Sequence, residues 1–170
     1  PYGVGVSQRG KVGTSKRGTV KEYKKEEWDA EPPPAWLLGL ARDMTEKQIV
    51  FGGNLMELPP AKCWAIWHKD NTGVYSPVEM AWTNLERTTA FYRYRWNGMI
   101  QEHMGDRKEP RVHPTQKPLP VMSWCLSLAG DVSSVIDPFM GSGTTLVACK
   151  LAGIRAVGIE INEEYCQKAV

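Results

Sequence analysis

The stretch "DPFMGSGTTLVACKLAGIRAVGIE", residues 137 to 160, constrains the fold of this 170-residue chain more than any other. It follows the apolar segment "SSVIDPF" through a turn containing Gly141 and Gly143 into "TTLVACKLAG", and then into a second apolar segment, "RAVGIEI". That order predicts a strand, a helix stopped by Gly153 and another strand, and a helical crossover is the connection that parallel strands require. Gly141 and Gly143 let the backbone turn tightly and let a ligand approach, while the following helix aims its first N–H groups at that ligand. Glu160, at the end of the second strand and about 20 residues beyond the turn, stands where ribose hydroxyls are gripped in nucleotide-binding folds. Asp137, at the mouth of the turn, is placed to attract a cationic or amino group. A nucleoside ligand fits; the competing reading is a glycine turn that serves packing alone. A phosphate-gripping loop of the GxxxxGK[ST] type is excluded by the missing lysine, and Leu146 after "GSGTT" departs from the GxGxxG of a dinucleotide fold.

The remaining segments suit the same architecture. "AWLLGLARDM" sets Trp36, Leu37, Leu40, Ala41 and Met44 on one side of a helix started by the prolines at 32 to 34, with Arg42 and Asp43 toward water. "QIVFGGN", "CWAIWHK" and "PVEMAWTN" read as strands. Leu85 to Arg111 lacks a sustained period and is expected to leave the sheet as an irregular excursion. "LPVMSWCLSLA" reads as a helix, and "NEEYCQKAV" as another, capped by Asn162. Strands alternating with helices predict a parallel sheet covered on both faces.

Length predicts one domain over residues 1–170. A net charge of +2 identifies no partner, but the charges cluster: Arg9, Lys11, Lys16, Arg17, Lys21, Lys24 and Lys25 face only Glu22 before Glu26. With glycines at 3, 5, 10, 13 and 18, residues 3 to 30 are expected to form a mobile basic loop. The four cysteines lack CxxC spacing and stand at no zinc-like interval from a histidine, so reduced thiols, no metal site and a cytosolic setting are expected. No apolar run reaches the roughly 18 residues that a membrane span requires. The chain starts at Pro1 rather than Met, which reads as a fragment or a processed chain.

Three stretches together resemble one family. "DPFMGSGTT" with "GIEINEEY", then "HPTQKPLPVMSWCL", and the initial "PYG" are similar to the cofactor-binding, cofactor-anchoring and catalytic motifs of S-adenosylmethionine-dependent DNA amino-methyltransferases. Their order, catalytic then anchoring then cofactor, resembles the permuted beta group, and "FGGN", "MAWTN" and "YRWNGMIQEHMG" resemble small phage or prophage members. The resemblance covers nearly the whole chain. It implies a Rossmann-like, doubly wound and mostly parallel α/β sheet with one antiparallel strand, circularly permuted.

The resemblance also implies roles. Asp137, Pro138, Phe139, Gly141, Ser142 and Gly143 match the cofactor turn, Glu160 the acid that holds the ribose, and Ile161 an apolar wall for adenine. Thr115 and Lys117 match positions near the methionine carboxylate, where hydroxyl and ammonium groups can bind it; read alone, "HPTQKP" serves equally as a helix entry. Pro1 and Tyr2 match the end of the catalytic (D/N/S)PP(Y/F) motif, in which the aromatic face replaces the stacking that a flipped base loses. The motif's polar residue and first proline do not stand in this sequence. The chemistry implied is methyl transfer to adenine N6 or cytosine N4, driven by alignment and without a catalytic cysteine.

Double-stranded DNA is the implied substrate. Lys11, Lys16 and Arg17 would meet phosphates near the flipped base, and residues 85–112, with Arg93 and Arg95 among aromatic side chains, form the candidate recognition segment. Solvated surface for the first and an aromatic mini-core with snorkelling arginines for the second are the competing readings. A bacterial or phage-infected cytoplasm, a role in restriction-modification and a homodimer complete the expectation. A non-catalytic DNA-binding remnant is the alternative, and a nicotinamide-dependent oxidoreductase leaves "HPTQKP" and "PYG" unexplained.

Overall fold

The computed structural model describes residues 11–12, 21–22, 30–71, 76–97 and 99–169. The expected mobile loop of residues 3 to 30 lies almost wholly outside them. Its described part carries regular structure that the glycine count argued against: β1 (Lys11–Val12) pairs antiparallel with β2 (Lys21–Glu22), Lys11 opposite Glu22. A ladder of two residue pairs is too short to leave an alternating pattern in the sequence. The chain divides into two compact units, Pro1–Glu109 and Pro110–Val170.

In the first unit, helix α1 (Ala35–Met44) follows the three prolines because each proline holds the residue before it away from helical backbone. Its far end is closed by Gln48, whose amide donates to the carbonyls of Arg42 at 3.0 Å and Thr45 at 2.8 Å. The apolar stripe forms as read but is not buried: Trp36, Leu40 and Met44 stand in solvent, and no residue of α1 is buried.

Four strands make the sheet of this unit in the order β3 (Ile49–Phe51), β5 (Val78–Thr83), β4 (Trp64–His68) and β6 (Ala90–Arg93). β5 runs antiparallel to both neighbours, whereas β4 and β6 are parallel. Along β4, Ala65 and Trp67 are buried while Trp64, Ile66 and His68 are less so, the period of two that a pleated strand imposes. Trp67 is 1 % exposed, and its indole N–H donates to the Tyr94 carbonyl at 2.9 Å, so the burial leaves that polar group paired.

The segment from Leu85 to Arg111 is more regular than expected. β6 lies within the sheet, and β7 (Trp96–Asn97) pairs with β8 (Ile100–Gln101). Strands of two to four residues carry too few side chains to show a period. Tyr94 and Trp96 are buried, as the mini-core reading has it, while Phe91 is exposed. The buried Gln101 amide exchanges two hydrogen bonds with the Glu109 backbone, donating at 2.9 Å and accepting at 2.8 Å.

The second unit contains α2 (Leu119–Ala129), β9 (Ser134–Asp137), α3 (Thr144–Leu151), β10 (Arg155–Gly158) and α4 (Glu163–Lys168). β9 and β10 are parallel, with Asp137 opposite Gly158. α2 buries Val121, Cys125 and Leu128, one face of a helix by their spacing, and packs on α3, which buries Ala148 and Cys149. Burial pushes the Cys125 thiol up to about 12 and raises that of Cys149, the latter also through the nearby Asp137 charge. β10 ends earlier than "RAVGIEI" suggested. At Gly158 a side chain would run into Met140 and Leu146, so glycine is what lets the turn and α3 lie on the strand. All four cysteines are free, and among the described residues no helix is long and apolar enough to cross a membrane.

Trp67→Ala is expected to lower unfolding stability by about 3–5 kcal/mol, the usual cost of emptying a large aromatic site. A urea titration that finds less than about 1 kcal/mol would show that Trp67 does not hold this sheet.

Candidate functional site

The turn between β9 and α3 is built from backbone held by two carboxylates. Gly141 and Gly143 have φ of +55° and +78°, the left-handed region that favours glycine. At Gly143 a Cβ would also lie 2.7 Å from the Cβ of Ala169. The Gly143 N–H donates to Met140 O at 2.9 Å, Met140 N–H to Ile159 O at 3.0 Å, and Ile159 N–H to Asp137 O at 2.8 Å. The turn is thereby tied to the backbone just past β10.

Asp137 accepts the Phe139 N–H on Oδ1 at 3.0 Å and the Thr145 hydroxyl on Oδ2 at 2.5 Å. Glu160 accepts the Gly141 N–H on Oε2 at 3.0 Å and the Asn162 N–H on Oε1 at 2.9 Å. Each carboxylate oxygen keeps a further lone pair that a ligand hydroxyl or ammonium can use. Asn162 then caps α4, its side chain accepting from Glu164 N and Tyr165 N. No side chain caps α3, so its first turn faces the glycine turn with backbone groups alone. Beside Glu160, Ile161 is 90 % exposed, and Phe139 is exposed at the turn itself. Both leave apolar surface in solvent next in sequence to the polar turn.

"HPTQKP" folds around Gln116. Its side-chain oxygen accepts from Val112 N at 2.8 Å and His113 N at 3.4 Å, and its amide donates to Pro110 O at 2.9 Å. Thr115 donates its N–H to His113 Nδ1 at 3.2 Å and holds its hydroxyl at the same distance from that nitrogen. Lys117 Nζ donates to the Thr115 carbonyl at 3.4 Å. The buried His113 ring meets Tyr165 edge to face, centroids 4.3 Å apart. The ring also lies near the turn, for a Cβ at Gly141 would stand 3.4 Å from His113 Nε2. The "HPTQKP" segment, the glycine turn and α4 are thus brought together in the second unit.

Sequence reasoning named Asp137, Gly141, Gly143, Glu160, Thr115 and Lys117 but missed His113, Tyr165 and Thr145. The only signal was their position inside the motifs, because neither a ring contact nor a side-chain turn leaves a period. Pro1, Tyr2, Lys16 and Arg17 lie outside the described residues, and Lys11 belongs to β1. Arg93 and Arg95 converge on a single carboxylate oxygen, Asp70 Oδ2, at 2.6 Å and 2.5 Å. The hydrogen bonds from Arg95 and then Arg93 hold the Asp70 carboxyl below its usual range. An open cleft of about 430 Å³ in the first unit is bordered by Gln48, Trp82 and Asn84. The Gln48 and Asn84 side-chain amide nitrogens, Asn84 Oδ1 and the Trp82 indole N–H are bonded to protein backbone. Among the described residues no group of three or more His, Cys, Asp or Glu side chains could hold a metal ion.

Comparison with known proteins identifies a family. The family model for N6/N4 DNA methylases matches residues 11–170. The type II methyltransferase M.HpaI of Haemophilus parainfluenzae is 43 % identical over 65 residues, 36 % of this chain and 20 % of that protein. The type II methyltransferase M2.DpnII of Streptococcus pneumoniae is 36 % identical over 75 residues, 44 % of this chain and 27 % of that protein. The chain therefore spans only about a quarter of the length of the curated relatives it matches. Among solved structures, the M1.HpyAVI complex with S-adenosylmethionine overlaps with a TM-score of 0.47 at 24 % identity, covering 72 % of each chain.

Thr145→Val keeps the side-chain shape and removes the hydroxyl donated to Asp137. It is expected to cost about 1.5–3 kcal/mol, the range for a hydrogen bond to a charged group, and Thr145→Ser to recover most of it. Equal urea midpoints for wild type and the valine variant would show that this bond does not support the turn.

Proposed function

The chain belongs to the N6/N4 DNA methylase family, and on that premise we propose that it transfers a methyl group from S-adenosylmethionine to the exocyclic amino group of adenine (N6) or cytosine (N4) in double-stranded DNA. The observation that carries the proposal is the Glu160 carboxylate closing the glycine turn through the Gly141 amide. The residues fit the cofactor. Glu160 has lone pairs for a ribose diol, exposed Ile161 offers an adenine face, and Thr115, Lys117 and the uncapped first turn of α3 suit a methionine carboxylate. When bound, S-adenosylmethionine supplies an electrophilic methyl group on a sulfonium.

The protein's own part is alignment. An amino nitrogen conjugated with a base ring is a poor nucleophile, so it must be stripped from the duplex and fixed in place. Tyr2 is proposed to stack on the extruded base, and Pro1 to position that aromatic ring. Lys11, Lys16 and Arg17 would contact phosphates. Arg93 and Arg95 would do so from their shared Asp70, which leaves the trio a net charge of +1 and favours an anionic backbone. Both units are proposed to form one methyltransferase domain with a circularly permuted, doubly wound sheet. β5, antiparallel within a sheet whose β4 and β6 are parallel, supports that architecture. A cytoplasmic setting in a bacterial or phage-infected cell and a homodimer belong to the same reading.

The test is transfer of labelled methyl from S-adenosylmethionine to unmodified DNA, followed by nucleoside analysis. Labelled N6-methyladenine or N4-methylcytosine is the expected product. Asp137→Ala should weaken cofactor binding by about tenfold or more, since it removes a charged hydrogen-bond partner of the turn, and should leave DNA affinity unchanged. DNA binding without any methylated nucleoside would instead identify a non-catalytic remnant.

A further inference from the structure

Among the described residues, His113 lies beside all three parts of the candidate site: the Thr115 segment, the Gly141 turn and α4. Its Nδ1 accepts the Thr115 N–H and lies 3.2 Å from the Thr115 hydroxyl. Its ring stands one methyl group's width from Gly141, since a Cβ built there would come to 3.4 Å of Nε2, an ordinary van der Waals contact. It meets Tyr165 of α4 edge to face, and the cap of that helix, Asn162, also donates to Glu160. The ring is 6 % exposed, so it is a fixed part of the unit and not a surface group that swings.

Nδ1 is the acceptor for the Thr115 N–H, and Nε2 is the ring atom nearest the turn. A ring of this size that only filled space would be interchangeable with phenylalanine. This ring also holds the backbone amide of Thr115, the residue read as contacting the methionine end, and at the same time stands next to Gly141. Gly141 is in turn the residue bonded to Glu160, which is read as contacting the ribose.

We propose that His113 is a positioning residue that sets the distance between the Thr115 segment and the Gly141 turn, and through them the separation of the groups that grip the two ends of S-adenosylmethionine. The proposal rests on the cofactor reading above. It gives the histidine of "HPTQKP" a task that neither packing nor direct ligand contact supplies.

The test compares His113→Phe, which keeps an aromatic ring against Tyr165 and Gly141 but removes the acceptor, with His113→Asn, whose side-chain oxygen can stand in for Nδ1. Affinity for S-adenosylhomocysteine is measured by calorimetry, and amide hydrogen exchange at Thr115 and Gly141 is followed in the ligand-free protein. The phenylalanine variant is expected to bind about tenfold or more weakly, the loss of one buried hydrogen bond, and to exchange faster at both amides. The asparagine variant should stay within about threefold of wild type, as its acceptor is retained. A phenylalanine variant that binds like wild type, or an asparagine variant no better than phenylalanine, overturns the proposal. Should the phenylalanine variant not fold, the asparagine variant decides, with a loss beyond about threefold counting against it. Failure of wild type to bind would overturn the cofactor reading, and with it the ligand-gripping half of the proposal. The exchange rates would then decide whether His113 positions the turn.

Discussion

The hydrogen bond from the Gly141 amide to Glu160 joins residues 19 apart in the chain and converts a strand–turn–helix–strand unit into a closed frame. Without it, a turn at left-handed φ would leave its amide without that partner beside a carboxylate deprived of its donor. Because the donor meets a charged acceptor, the bond is stronger than one between neutral groups. The second oxygen of the same carboxylate holds the Asn162 amide, and Asn162 caps α4. Glu160 thus fixes the turn on one side and the following helix on the other. Asp137 does the same work at the far end of the turn, through Phe139 and Thr145. Two acids that look like ligand contacts in the sequence are first of all parts of the scaffold. Their remaining lone pairs are aimed by that scaffold, which is how a site can be organised before a ligand arrives.

The first unit solves a different problem. Its short strands bury large aromatic side chains, and Trp67 is buried with its indole N–H paired to the Tyr94 carbonyl. That bond links β4 to the residue just after β6. Beyond Tyr94, Arg95 and Arg93 close on Asp70, which lies just past the end of β4 and has a positive φ of 48°. The aromatic residues of this segment therefore divide by depth: Tyr94 and Trp96 are core, and Phe91 is surface. Composition alone could not separate them.

What the sequence made legible follows from the reach of each signal. α1 and α2 came out residue for residue, since prolines before each start and a glycine after α2 are local, steric signals. The Asn162 cap and the stop at Gly153 were legible for the same reason. The strands of the sheet were located, but their order was not, because β5 is placed between β3 and β4 by long-range pairing. β6 through β8 were missed as elements too short to show a period. In the site, the acids and glycines were legible from their spacing. The His113 contact was not, because it depends on two segments meeting, Gly141 with the loop before α2. The exposed stripe of α1 runs against the amphipathic pattern, and nothing in the described residues accounts for it.

The most direct measurement is a nitrogen-15 spectrum of the whole chain titrated with S-adenosylhomocysteine. The account predicts saturable shifts at the amides of Gly141, Gly143, Asn162 and Thr115, all fitting one dissociation constant. Amides of β4 and β5 should stay in place. Shifts confined to the first unit, or none at the four named amides, would contradict the assignment of the Glu160 frame as the cofactor site.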